Sequence, residues 1–260
     1  MINFSALRPE TLAGKIVRLP FRILPHELAL PILQGPLRGK KWIVGSHLHG
    51  CWLGSYEFEM QQRMADVLER GSVFYDIGAN AGFYTLLAAD LVSPGQVYAF
   101  EPLPANIAYL RKHLELNRIR NAKVLELAVS DEVGTSLFAT ETTRAMGKLE
   151  AGGDLPVRSS TLDALIHQEK LSSPDYIKMD IEGAEHRALL GARECFACHR
   201  PKLFLATHGG KIHEDCCRLL RSWDYEIDEF RPLSDERAEL FAWPKEIGPA
   251  ASSQIHRDAF

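Results

Sequence analysis

Six polar side chains have the spacing to do chemistry together. Asp76 stands in the run Val73-Phe74-Tyr75-Asp76-Ile77, just before the turn Gly78-Ala79-Asn80-Ala81-Gly82. Glu101 follows at about 20 residues past that turn, at the end of the apolar segment Gln96–Phe100. A strand running into a glycine turn and a helix start cradles a nucleotide, and an acid at that distance can accept from both ribose hydroxyls. The turn reads G-x-N-x-G rather than G-x-G-x-x-G. A pyrophosphate at the helix N-terminus would meet the Asp76 carboxylate. S-adenosylmethionine has no phosphate and carries a sulfonium and an amino group, so an acid there suits it. Gly78 and Gly82 let the backbone approach a ligand, and Asn80 tolerates a left-handed turn. The turn alone also fits a plain structural connection; Glu101 favours the ligand.

Asp180 and Glu182 end a predicted strand over 174–180, Glu185 opens the helix behind it, and His208 ends a strand over 202–207. Ligands in open α/β sheets bind outside these carboxyl ends. Methyl transfer from a sulfonium is an in-line displacement that needs no acid for the leaving group. It needs alignment, which supplies about 7–11 kcal/mol, and a nucleophile freed of its proton, where a general base adds roughly 10²–10⁴ in rate. His208 is the candidate base, with an ordinary pKa near 6.5. Asp180 is the partner of the cofactor amine or the orienter of the acceptor hydroxyl. Glu182 and Glu185 also have a plain role as helix N-terminal acids, Glu185 above all. Asp180, Glu182 and His208 could instead hold a divalent cation such as Mg²⁺. Cys195-x-x-Cys198-His199, with His213, Cys216 and Cys217 downstream, raises zinc. The two cysteine pairs fall on successive helices, so buried free thiols are the expectation. Trp52 and Tyr56 either wall the acceptor pocket or belong to the core.

These groups need a scaffold. The chain has 260 residues, 46% hydrophobic, which is enough for one core with decorations. Predicted strands at 73–77, 96–101, 122–127, 174–180 and 202–207 alternate with helices near 83–92, 104–117, 160–170, 184–194 and 210–222. Such alternation predicts a doubly wound, Rossmann-like α/β parallel sheet with helices on both faces. Residues 57–70 have helical apolar spacing. Strands at 223–229 and 237–243 can pair antiparallel. Gly134, Gly147, Gly152, Gly153 and Pro156 break the rhythm over 131–158, which reads as an insert on the ligand rim. The predicted organisation is a basic N-terminal arm or lid over 1–56, a sheet domain over 57–243 and a tail over 244–260. The arm carries seven Lys/Arg against two Asp/Glu in its first 41 residues, and a solvated face is its plain reading.

Net charge of −4 argues against a nucleic-acid substrate. The apolar stretch Ile16–Leu33 is interrupted by Arg18, Pro20, Arg22, Pro25 and Pro31, so no transmembrane segment is expected. Five cysteines and no leader-like start fit a reducing cytoplasm. The residues leave an oligomer open.

The segments WLGSYE (52–57), FYDIGANAGFYT (74–85), VYAFEPLPAN (97–106), LELAVSD (125–131), STLD (160–163) and YIKMDIEGAE (176–185) together resemble the FkbM-type methyltransferases, within the class I adenosylmethionine-dependent group. The resemblance covers about Trp52 to His208. It implies a seven-stranded sheet with a reversed final strand, and O-methylation of a hydroxyl on a small molecule, sugar or glycan. It implies that Asp76, Gly78, Ala79, Asn80 and Gly82 hold the methionine half of S-adenosylmethionine and that Glu101 and Pro102 hold the ribose. Ala128 and Val129 then fall at the adenine edge, where many relatives have an acid; here the contact passes to backbone and to Asp131. Family members often show Glu-x-His at the end of the fifth strand, where this chain has Ala206-Thr207-His208. The competing readings are a nicotinamide-dependent oxidoreductase, which the Asp76 charge disfavours, and a non-catalytic binding module on the same fold.

Overall fold

The computed structural model describes residues 24–140, 147–149, 153, 155–234 and 236–245. The first 23 residues of the predicted arm, part of the rim insert and the tail after Lys245 lie outside the described residues.

In chain order the elements are β1 (Ala29–Pro31), β2 (Lys41–Ile43), α1 (His49–Leu53), α2 (Phe58–Val67), β3 (Val73–Ile77), α3 (Phe83–Val92), β4 (Gln96–Phe100), α4 (Pro104–Leu116), β5 (Ala122–Leu125), β6 (Ala128–Val129), β7 (Gly134–Thr140), β8 (Gly147–Leu149), β9 (Leu155–Ser160), α5 (Leu162–His167), β10 (Tyr176–Met179), α6 (Glu185–Leu190), α7 (Arg193–His199), β11 (Lys202–His208), α8 (Gly210–Ser222), β12 (Tyr225–Ser234) and β13 (Arg237–Pro244). The main sheet has seven strands in the order β12-β13-β11-β10-β3-β4-β5. Its first five strands in sequence run parallel. The last, β13, inserts antiparallel between β11 and β12. The strand order therefore reverses between β3 and β10, and that switch point opens the crevice in which ligands of such sheets sit.

Central strands buried on both faces read as unbroken apolar runs. In β3 Phe74 faces a core with Trp42, Met60, Met64 and Leu86. Tyr75 and Ile77 face the opposite core with Leu165, Ile177, Leu189 and Leu205. Asp76 interrupts the run and is fully buried, a first sign that its position is functional. In the described part of the arm Ile32, Leu37, Trp42 and Val44 pack into the first core, while Arg38 and Lys41 stay exposed.

Local features account for the departures from the expected elements. The expected helix over 184–194 is two helices, α6 and α7. A Cβ on Gly191 would lie 2.2 Å from the Ser130 carbonyl oxygen, so a loop packs into the break. The expected strand over 122–127 stops at Leu125, and β6 leaves the main sheet for a second one, β6-β9-β7-β8, built from the rim insert. Thr161 caps α5 by accepting from the Ala164 N–H at 3.0 Å. Among the described residues no helix is long and apolar enough to cross a membrane.

Candidate functional site

A cavity of about 510 Å³ opens at the carboxyl edge of β3, β4 and β10. One end is built by the glycine turn after β3, by Glu101, Pro102 and Leu103 after β4, and by Leu127, Ala128 and Val129. Gly78 takes φ +81 with its Cα against the Asp180 carbonyl, where a Cβ would come within 2.0 Å of the oxygen. Only glycine fits there. Asn80 is left-handed at φ 49, and its Oδ1 accepts from the Ala81 N–H at 2.7 Å. Gly82 caps α3 at φ 93, packed on Leu110 instead of lining the cavity.

Glu101 is the fixed acid of this end. Its Oε2 accepts from the Asn80 N–H at 2.8 Å, and its Oε1 accepts from the Leu103 N–H at 2.9 Å and from Asn106 at 3.3 Å. Burial pushes its pKa up, against those backbone donors. One lone pair or more remains on the carboxylate for a hydroxyl donor. Asp76 lies behind the wall, not on it. Its Oδ2 accepts from the Thr85 hydroxyl at 2.6 Å, while its Oδ1 is buried without a partner. Burial raises its pKa and the neighbouring Lys178, opposite it in register, opposes the rise. Asp131 is turned away from the cavity into an ion pair with Arg187 at 2.7 Å.

The other end is acidic and aromatic. Asp180 and Glu182 line it with Lys178, Tyr56, Tyr84 and Arg237. Trp52 is core rather than wall. Asp180 turns its Oδ2 to Lys178 at 3.6 Å and to Arg237 at 3.4 Å. Burial opposes ionisation of Asp180, but those two cations and His208 hold its pKa below the ordinary value. His208 stands behind the lining. Its Nδ1 is 2.8 Å from Glu185 Oε1, and its Nε2 is 3.6 Å from Asp180 Oδ1 and 3.5 Å from Glu182 Oε2. Burial would lower the imidazole pKa; the Glu185 hydrogen bond and the three carboxylates outweigh it and hold it above the ordinary value. Burial raises the Glu182 pKa. The ligand atoms of Asp180, Glu182 and His208 lie within 4.8 Å of one another, close enough to share an ion. Glu185 also accepts from the Gly183 N–H at 3.0 Å, so it pins the loop before α6 while it orients His208.

Several residues were not apparent from the sequence. Lys178 alternates with Asp180 along β10, a period-two pattern that does signal a shared side. Arg237 carries no such signal: it joins Glu57 to Asp180 from the far strand β13, and Tyr84 donates to the same Glu57 at 2.7 Å. The acid absent at position 206 has neighbours that replace its charge. Ala206 pairs directly with the buried Glu239, and Glu185 supplies the partner of His208. Phe138, from the rim insert, closes the cavity beside Ala128. Cys195, Cys198, Cys216 and Cys217 are free thiols.

Comparison with known proteins gives this geometry a lineage. The family model described as the methyltransferase FkbM domain matches residues 76–227, more than half of the chain. The chain is similar to the hexuronic acid methyltransferase AglP of Haloferax volcanii, with 24% identity over 167 residues that cover 63% of this chain and 67% of that protein. It is similar to the 31-O-demethyl-FK506 methyltransferase FkbM of Streptomyces tacrolimicus, with 44% identity over 162 residues that cover 49% of this chain and 62% of that protein, so it spans less than two thirds of the latter. The structure of an rRNA methylase from Streptococcus thermophilus superposes with a TM-score of 0.50 at 13% identity, covering 73% of this chain and 96% of that one, a likeness of fold alone. With its glycine turn, Glu101 and the strand-end acids inside the matched span, the chain belongs to the FkbM methyltransferase family.

Proposed function

We propose that the protein is an S-adenosylmethionine-dependent O-methyltransferase acting on a hydroxyl of a sugar, glycan or other small polyhydroxylated molecule. One observation carries the reading: a single cavity runs from Glu101 and the glycine turn to Asp180 and Glu182, so a methyl donor and an acceptor can share it. The residues fit the donor. The volume is within the roughly 300–1,000 Å³ of small-molecule sites. Gly78 leaves room that a Cβ would fill. Asp76, buried just before the turn with its Oδ1 unpartnered, sits behind the lining beside Lys178 and would act on the cationic methionine half only through its charge. S-adenosylmethionine supplies an electrophilic methyl group on a sulfonium.

Gly78, Ala79 and Asn80 would hold the methionine half, Glu101 and Pro102 the ribose, and Ala128 and Val129 the adenine edge. Asp180 orients the acceptor hydroxyl while Lys178 and Arg237 keep it ionised. His208 receives the hydroxyl proton, through Glu182 where contact is not direct, and Glu185 keeps the ring aligned. Both relatives are named as methyltransferases of oxygen-rich molecules, a hexuronic acid and a demethylated FK506, which supports the acceptor class. Labelled-methyl transfer to a panel of sugars and polyketides, with mass spectrometry of the product, tests the reading. Transfer to a hydroxyl is expected. Glu101→Ala should weaken donor affinity by about 10–100-fold in calorimetry, the loss of one or two hydrogen bonds to a charged group; undiminished affinity would remove Glu101 from the site.

A second reading shares the same side chains. Asp180, Glu182 and His208 satisfy the spacing for a divalent cation such as Mg²⁺, which would acidify the acceptor hydroxyl. Chelation should then stop transfer and Mg²⁺ restore it; indifference to chelation leaves the His208 route.

A further inference from the structure

Outside the cavity lining, α8 and β12 bring a second group of metal-binding side chains together. His213 and Cys217 stand one helical turn apart and are buried. The His213 Nε2 lies 3.7 Å from the Cys217 Sγ. The Glu229 Oε2 lies 3.6 Å from the same nitrogen. One ligand atom from each residue lies within 4.8 Å of the others. The two separations from the His213 nitrogen are those of ligands around a small shared ion: zinc bonds of about 2.0–2.3 Å at tetrahedral angles set such atoms about 3.3–3.7 Å apart. A direct imidazole–carboxylate hydrogen bond would close to about 2.7–2.9 Å.

The imidazole is oriented for this role. Its Nδ1 lies 3.0 Å from the hydroxyl of the fully buried Thr207. With the Nδ1 proton donated to that oxygen, the Nε2 lone pair is left for Cys217 and Glu229. Metal-bound histidines are held by an outer hydrogen bond of this kind. Glu229 falls where β12 loses register with β13, between Asp228 and Arg231, and such irregularities re-aim a side chain. Its side chain is 34% exposed, which gives an ion a route in and leaves room for water as the fourth ligand.

We propose that His213, Cys217 and Glu229 form a zinc site that clips the edge strand β12 to α8. The thiolate favours zinc over Mg²⁺ and so separates this site chemically from the nitrogen and oxygen atoms of Asp180, Glu182 and His208. The inference stands apart from methyl transfer and survives the failure of that reading.

Cobalt substitution tests it on the full chain. Co²⁺ titrated into the metal-free protein should give a thiolate-to-cobalt absorption band in the near ultraviolet that saturates at one equivalent and is displaced by Zn²⁺. The Asp180 group has no sulfur and gives no such band. Cys216→Ser should keep the band and Cys217→Ser should lose it. Glu229→Gln, at a partly exposed position, should weaken Zn²⁺ binding at least tenfold in competition with a chromophoric chelator. EDTA should lower the Tm of the zinc-loaded protein and leave that of Cys217→Ser unchanged. A folded chain without the band, or Zn²⁺ affinity indifferent to Glu229→Gln, overturns the site.

Discussion

In the proposed mechanism His208 has two tasks that pull against each other. A proton acceptor must be neutral, yet the Glu185 hydrogen bond and the acids around it favour the imidazolium despite burial. Transfer should therefore rise with pH through a value above the ordinary 6.5 of histidine. Glu185→Gln removes a negative charge and leaves a neutral amide oxygen as the acceptor of the Nδ1 proton. The acid limb of the kcat/KM profile should move down by about one pH unit, and kcat should fall about tenfold as the ring loses its alignment. A limb that stays in place would show that another group titrates. The place of His208 at the end of β11 was legible in the sequence, but its position behind the cavity lining was not. Its acid was not: Glu185 reads as a helix N-terminal residue, and it reaches His208 only because β10 and β11 lie side by side. Asp76 was legible by type and place but not by depth, because nothing in the residues says that Thr85 would take one oxygen and leave the other behind the wall.

At the scale of elements, the joint between α4, β2 and the glycine turn carries more than its length suggests. His113 of α4 is fully buried. Its Nε2 accepts from the Ile43 N–H at 3.0 Å, so the proton is on Nδ1, which donates to the Ala81 carbonyl at 2.7 Å. The ring stacks on Trp42 at 3.9 Å between centroids. Burial pushes its pKa down to about 4, so it stays a neutral strut. His113→Ala leaves two buried backbone groups without partners and should cost about 2–4 kcal/mol in denaturant unfolding, with donor affinity falling alongside because Ala81 is part of the turn. Loss of stability below about 0.5 kcal/mol would show that the strut is dispensable. The elements α3 and β4 were readable because their signals are local, an apolar run opened by a glycine. The break between α6 and α7 was not, because its cause is the carbonyl of Ser130, about sixty residues away in sequence.

Across the whole molecule, the cavity lining comes partly from inside and partly from outside the span matched by the family model. The end proposed for the donor, with the glycine turn, Glu101, Pro102, Ala128 and Val129, lies inside residues 76–227. Of the end proposed for the acceptor, Tyr84, Lys178, Asp180 and Glu182 lie inside that span too, while Tyr56 and Arg237 lie outside it, as do His47, Leu48 and Cys51 of the cavity lining. A graft of residues 24–57 from a family member of different acceptor, with its partner for Arg237 retained, should carry the acceptor preference and leave S-adenosylmethionine affinity within about threefold. Donor affinity that collapses in a folded graft would mean the halves are not separable. The doubly wound sheet was legible because alternation alone predicts it. The acceptor pocket was not, because it converges from segments whose only shared property is where the sheet brings them. No wall divides the two halves, and Gly78 touches the Asp180 carbonyl between them. An inhibitor could therefore be assembled from fragments: an adenosine piece anchored on Glu101, tethered by a short linker to a polyol piece on Asp180. Each piece would raise the effective concentration of the other, and selectivity among related enzymes would come from the polyol end.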